Sequence, residues 1–187
     1  MKTGRILTIL LGSPRNGGNS EELALALERG ALAAGCEVRK ARLSALNLKG
    51  CIGCGKCWSA GKPCILADDM DLVYKDIEAA DVVAFASPLY FYSWSWQIKA
   101  VWDRLLAFYH QDSKSRLAGK DVILLSAAGD KDMEAFTGLK YSFRLAIKYL
   151  KWNMLGEICI PGVHHAGEIT AKAPEWLEAT EKLGMRL

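Results

Sequence analysis

ILTILLGSPRNGGNSEELALAL, residues 6–27, passes from an apolar run through a loop into a helical pattern. The opening run, Ile6 to Leu11, is short and rich in branched residues, as a buried strand requires. From Ser20 to Ala34 the apolar positions Leu23, Leu27, Ala31 and Ala34 recur at helical spacing. Glu21 and Glu22 stand in the first turn, and Gly35 supplies a stop. Strand, loop and helix in this order form the first unit of an α/β fold, and the rest of the chain repeats it.

Further short apolar runs lie at 36–42, 81–86, 121–126 and 156–160, and helical patterns at 70–80, 96–109, 135–152 and 175–183. This alternation predicts a doubly wound α/β domain, a parallel sheet with helices on both faces. Near-continuous apolar strands such as VVAFA at 82–86 fit a sheet covered on both sides. Ligands of such sheets sit at the carboxyl ends of the strands, where the strand order reverses. The loops that begin near Gly12, Ser87 and Ala127 are therefore the ones to inspect.

The 187 residues suit one domain, 1–187, and the 51% hydrophobic and 24% charged content is that of a globular protein. A net charge of +3, with no long run of Lys or Arg, argues against nucleic-acid or membrane partners. Lys2 and Arg5 before an apolar run imitate a signal peptide, but Ser13, Pro14, Arg15 and Asn16 follow in place of a cleavage site. The run from Val82 to Phe91 is cut by Ser87 and Pro88 and is too short to span a bilayer. A cytoplasmic setting is expected, in which clustered cysteines serve as ligands or reactive thiols sooner than as disulfides.

The loop after the first strand holds Ser13, Arg15, Asn16, Asn19 and Ser20 with three glycines. This is the composition of a phosphate cradle: helix N-terminal amides and the helix dipole favour a dianion, hydroxyls donate, and Arg15 adds full charge. The stretch is neither GxGxxG nor GxxxxGK[ST], so a terminal monophosphate suits it better than a dinucleotide or nucleoside triphosphate. The competing reading is local: Asn19 or Ser20 caps the helix while Gly17 and Gly18 turn the chain.

A second signal is the cysteine-rich loop at 50–67, where Cys51, Cys54, Cys57 and Cys64 give C-x2-C-x2-C-x6-C. Two-residue gaps let successive thiolates bend around one centre, and three close ligands plus a more distant one is the arithmetic of a 4Fe-4S cluster. Zinc more often takes two separated CxxC knuckles. Pro63 precedes the last cysteine, whereas ferredoxin motifs commonly place proline after it. Cluster, zinc and free or switchable thiols all remain open on spacing alone.

GSPRNGGNS (12–20), the cysteine loop running into DDM (68–70), ASPLYFYSWSWQIKAVWDR (86–104), SAAGDKD (126–132) and PGVHHAGEI (161–169) occur in an order that resembles the flavodoxin-like NAD(P)H-dependent FMN reductases. The resemblance is to the branch that contains the iron-sulfur flavoproteins. It implies a five-stranded flavodoxin-like sheet of order 2-1-3-4-5, bound FMN, NADH or NADPH as co-substrate, and a dimer or larger homo-oligomer such as a tetramer. By the same resemblance Ser13, Arg15, Asn19 and Ser20 hold the flavin phosphate, with Asn16 beside them. Pro88, Leu89, Tyr90 and Phe91 line the flavin, and Ala127, Ala128 and Gly129 close its pyrimidine side. Tyr90, Phe91, Tyr92, Trp94 and Trp96 place five rings in seven positions, faces that a flat isoalloxazine can use.

The function so implied is an FMN-dependent oxidoreductase that takes hydride from NAD(P)H and passes electrons to a quinone, a flavin or an iron-sulfur acceptor such as a ferredoxin-like protein. The cofactor carries that chemistry, so no side chain is nominated as catalytic. A non-catalytic flavin and iron-sulfur electron carrier, or a thiol redox sensor on the same fold, are the alternatives.

The remaining polar and aromatic residues read as structural. Ile98, Val101, Leu105 and Phe108 form a core stripe. Trp94, Trp96 and Trp102 suit core or interface positions, with Trp94 or Trp96 able to reach a neighbouring subunit's flavin. Cys36 and Cys159 suit small buried sites. His164 and His165 stand either at the cleft edge or on a loop surface, and His110 lies apart from them. Asp68 and Asp69 suit a helix cap, and Asp103 with Arg104 a surface or interface ion pair.

Overall fold

The computed structural model describes residues 4–109, 117 and 119–187. Five parallel strands, β1 (Ile6–Leu11), β2 (Glu37–Arg42), β3 (Val82–Pro88), β4 (Asp121–Ala127) and β5 (Asn153–Ile160), form one sheet in the order β2-β1-β3-β4-β5. Leu7 pairs with both Val38 and Val82, and Phe85 pairs with both Leu10 and Leu124, so the register runs unbroken through the centre. A register shift interrupts it only between Val122 and Ile123, opposite β5.

Alternation along the strands sends apolar side chains to two separate cores. Leu10, Val83, Phe85, Val122 and Leu124 pack on one face beneath α2 (Met70–Ala79), α3 (Trp96–Arg104), α4 (Leu106–Tyr109) and α5 (Thr137–Leu150). Leu7, Ile9, Ala84, Ile123 and Leu125 pack on the other beneath α1 (Asn19–Ala33), with α6 (Glu168–Lys172) and α7 (Pro174–Gly184) on the same face. These two covered faces explain why the strands read as continuous apolar runs. Helix α7 meets α1 almost backbone to backbone: a Cβ on Gly30 would lie 2.0 Å from the Glu181 carbonyl oxygen, and one on Gly184 would lie 2.3 Å from that of Leu27.

Several boundaries depart from the sequence pattern. The helix expected over 96–109 is two helices, although its stripe of Ile98, Val101, Leu105 and Phe108 is buried throughout. The one expected over 135–152 begins as a 3-10 turn at Met133–Phe136 and is ended by Lys151 in the left-handed region, φ 58°. β5 begins at Asn153, ahead of Gly156, because its first residues are edge positions that need no apolar face. Among the described residues no helix is long and apolar enough to cross a membrane. His110 lies outside the described residues.

Arg104 is not a surface residue and does not pair with Asp103. Its guanidinium binds both oxygens of Asp68 at 2.6 and 3.0 Å, with side-chain exposures of 1% and 0%. Asp103 pairs one helical turn back with Lys99 at 2.5 Å. Trp94 is buried among Phe85, Trp102 and Phe143, its ring centroid 5.2 to 6.1 Å from theirs, which fixes it in this chain's own core.

Candidate active site and cysteine cavity

Strand β1 stands between β2 and β3, so the loops leaving β1 and β3 diverge around a crevice. Hydrogen bonds tie these loops together. The Ser95 hydroxyl donates to the Gly12 carbonyl at 2.8 Å, and the Ser95 amide donates to the Ser87 hydroxyl at 3.1 Å. The Leu89 amide donates to Ala127 and the Ala128 amide to Ile160, both at 2.9 Å, which extends the ladder past the strand ends. The resulting cavity, about 160 Å³, has Ser13, Arg15, Asn19 and Ser20 at one end and Pro88, Leu89, Tyr90, Ala127 and Gly129 along its length. A second hollow, lined by Leu89, Phe91, Tyr92, Ala128, Gly129, Asp130 and Ala135, shares Leu89 and Gly129 with it. The structure thus gathers the nominated residues of three loops into one crevice. Asn16 is exposed and lines neither hollow.

The loop residues divide by what their polar atoms already bind. The Ser13 hydroxyl accepts from the Arg15 amide at 3.1 Å and donates to the Arg15 carbonyl at 3.2 Å, closing a local turn. Asn19 is buried, and its side chain donates to the Val163 and His165 carbonyls and accepts from the Ile169 amide. It clamps the loop after β5 and does not cap α1; Gly18 stands at that cap position. Glu21 accepts from the Gly17 amide at 2.9 Å and is ion-paired with Arg42, bracing the loop from behind. Arg15, exposed at the rim, reaches the His164 carbonyl at 3.3 Å. Arg15 and Ser20, at the start of a helix of 15 residues, are the charge and hydroxyl available to an anion.

Val163, His164 and Ala166 form the wall that sequence reasoning left undecided. Glu168 accepts from the His164 and His165 amides at 2.6 and 3.1 Å and from Lys172 at 2.7 Å. The Lys172 bond first, then those two amides, hold its carboxyl down at about 2. The HHAGE spacing was the available sign: a carboxylate three and four residues after two loop amides can fold back and hold the turn before the helix that it opens.

The ring-rich stretch makes a tight reversal. Tyr90 and Ser93 exchange two backbone hydrogen bonds of 3.0 Å, and between them Phe91 and Tyr92 both take positive φ, 46° and 61°. That is the backbone of a primed two-residue turn, which normally carries Asn and Gly. Two aromatic residues there store strain, of the kind found at binding sites. Phe91 is 99% exposed and Tyr92 63% exposed.

The cysteine loop lies on the other core's side, against α2, α3 and α4. Cys51, Cys54, Cys57 and Cys64 line a cavity of about 140 Å³ with Ile52, Ile65, Leu66, Tyr74, Arg104 and Leu106 among its walls. Cys51 and Cys54 are exposed, Cys57 and Cys64 partly buried. Burial, and next the neighbouring Cys64, Cys51 and Cys54, push the Cys57 thiol up. Gly53 and Gly55, at φ 64° and 67°, give the loop the left-handed turns that its spacing demands. Among the described residues no three His, Cys, Asp or Glu side chains converge on a single metal ion. At the loop's base the Lys49 amide donates to Asp68 at 2.8 Å and the Lys49 carbonyl accepts from Arg104 at 3.1 Å. The Met70 amide also reaches Asp68, at 3.3 Å. Burial alone would raise the Asp68 carboxyl, but the Arg104 and backbone hydrogen bonds outweigh it and lower it. Trp58, with φ 63°, anchors the loop's far side by donating its indole N–H to the Ala107 carbonyl at 2.7 Å.

Cys36 and Cys159 are buried at strand edges, away from this loop. Burial, with Glu157 adding to it, pushes the Cys159 thiol up to about 12. It is a packing residue.

Comparison with known proteins fits this geometry. Residues 5–159 match the family model for NADPH-dependent FMN reductase. The chain is 32% identical over 120 residues to an iron-sulfur flavoprotein of Archaeoglobus fulgidus, covering 64% of this chain and 54% of that one. It is 35% identical over 98 residues to an iron-sulfur flavoprotein of Methanosarcina thermophila, covering 52% and 51%. The chain thus spans about half the length of these curated relatives. Among solved structures, the NAD(P)H:quinone oxidoreductase of Methanothermobacter marburgensis superimposes with a TM-score of 0.73 at 21% identity, over 98% of this chain and 96% of that one. A flavodoxin-like sheet, a crevice at its switch point and a family match over most of the chain agree: this protein belongs to the NADPH-dependent FMN reductase family of oxidoreductases.

Proposed function

We propose that this protein binds FMN in the crevice, accepts hydride from NADH or NADPH, and delivers electrons to a quinone, a flavin or an iron-sulfur acceptor. The observation that carries this reading is that two hollows share Leu89 and Gly129 as walls, one lined by Arg15 and Ser20 and the other by Phe91 and Tyr92 of the aromatic turn. Arg15, Ser20 and the first amides of α1 would hold the phosphate. Leu89, Tyr90 and Phe91 would flank the ring system, and the Ala127–Gly129 backbone would face its pyrimidine edge. FMN, when bound, supplies the hydride-accepting and electron-donating chemistry. The chain's residues bind it, orient it and leave one face open.

The cysteine cavity fits a 4Fe-4S cluster by its donor set. Four thiols surround one hollow without converging on a point, and such a cluster takes one thiolate at each iron. Cys51, Cys54, Cys57 and Cys64 would be its ligands. Exposed Cys51 and Cys54 would bring the cluster's edge to the surface, which favours a protein acceptor as one electron outlet.

The test is a visible spectrum with iron and acid-labile sulfide assays on protein purified without oxygen, followed by mixing with NADPH and with NADH. Flavin bands, about four irons per chain and bleaching by either nucleotide are expected. FMN-loaded protein inert to both nucleotides would overturn the reductase reading, and flavin bands without iron would leave a thiol-bearing two-electron reductase.

A further inference from the structure

The cavity wall opposite the cysteines contains a buried cation whose hydrogen bonding is incomplete. Arg104 uses Nη1 and Nη2 on Asp68 and on the Lys49 carbonyl. Its Nε is buried and has no partner. Arg104 lines the cysteine cavity whereas Asp68 does not, so of the two charges it is the cation that lies on the cavity side. Tyr74 helps to fix that orientation: its hydroxyl donates to the Arg104 carbonyl at 2.9 Å, and the guanidinium lies 5.9 Å from its ring centroid.

We propose that Arg104, held by Asp68, is the residue that sets the reduction potential of the centre in the cysteine cavity. It borders the cysteine cavity with a fixed positive charge. This rests on the cluster reading above. A 4Fe-4S centre held by four thiolates is anionic and gains one further negative charge on one-electron reduction. A cation at its edge stabilises the reduced form more than the oxidised one, and so raises the potential. Lysine at the same position keeps the charge but loses the planar fork.

The pair also clasps the base of the loop, so the test must separate potential from fold. Asp68→Asn/Arg104→Gln removes both charges together and leaves no buried ion unpaired. Asp68→Leu/Arg104→Met is the second variant if the amide pair does not fold, since apolar replacement of a buried ion pair is often tolerated. Each is purified without oxygen beside the parent protein and Arg104→Lys, assayed for iron and sulfide, and titrated with a chemical reductant while the reduced cluster is followed by electron paramagnetic resonance. The expected result is equal iron content, with the cluster in the uncharged variant harder to reduce by at least about tenfold in its one-electron equilibrium, about 59 mV more negative. Arg104→Lys should fall between that variant and the parent. Unchanged potentials at full iron content, or a shift to more positive values, would overturn the proposal and leave Arg104 a structural clasp. Parent protein that takes up no iron would overturn the cluster reading itself, a failure read separately in the iron assay.

Discussion

Asn19 shows how a residue type seen in sequence can stand in the right place with another task. Its amide serves three backbone groups of the loop after β5, across about 145 residues of chain, so Asn19→Ala should cost roughly 1 to 3 kcal/mol, the price of buried groups left unpaired. Thermal unfolding checks this, and protection of the Val163–Ile169 amides from hydrogen exchange should fall with it. Arg15→Ala should leave the melting temperature nearly unchanged, because Arg15 is exposed, and weaken FMN binding at least about tenfold, as loss of a charge-assisted contact predicts. Fluorescence titration of apoprotein with FMN measures it; equal affinity would place the phosphate elsewhere. At Asp68 the sign follows from a lowered carboxyl pKa. The ion pair contributes fully above the ordinary aspartate value near 4 and is lost as pH falls through the lower folded value. Asp68→Asn should therefore cost roughly 3 to 5 kcal/mol at pH 7 by leaving Arg104 without its anion. In urea unfolding that gap should narrow below about pH 4.

At the scale of elements, the 90–93 turn joins strain to exposure. Replacing Phe91–Tyr92 by Asn-Gly, the residues this backbone prefers, should stabilise the fold by up to about 1 kcal/mol and at the same time weaken flavin binding through loss of the rings. A variant both more stable and equally good at binding FMN would show that the rings do not face the flavin. The strands and helices around this turn were legible because burial imposes periodicity, and the three loops that form the crevice follow from the position of strand ends in a doubly wound sheet. The turn itself was not, since nothing in LYFYSW announces a conformation that aromatic residues disfavour. Arg104 was misjudged for a related reason: beside Asp103 in sequence it suggested a neighbour pair, but successive helical residues point in different directions, and the partner is Asp68 at the far end of the cysteine loop.

Across the whole molecule, α7 closes the face opposite the cysteine cavity through the contact at Gly30 and Gly184. Neither position has room for a Cβ without moving backbone, so Gly184→Val should cost more than about 3 kcal/mol and lower the melting temperature by over 10 °C, as overpacking against an unyielding surface does. The sequence pattern marks α7 as a helix but carries no sign of which helix it meets, because glycine contributes nothing to an apolar stripe. The cysteine loop, by contrast, announced four closely spaced thiols, with cluster, zinc and free thiols all open, and its location not at all; only the packed structure brings it against α2, α3 and α4.

Helix α3 follows its cap residue Ser95, bonded to the Gly12 carbonyl beneath the loop after β1, and ends at Arg104 in the wall of the cysteine cavity. Its nine residues thus act as a ruler of about 13 Å that sets the spacing of the two cavities and their relative rotation. One residue inserted beside the exposed Lys99 would leave the crevice end in place, but advance the other by about 1.5 Å and turn it by about 100°. The guanidinium would swing off its aspartate, and the protein would keep its crevice while the cysteine cavity lost the cation in its wall.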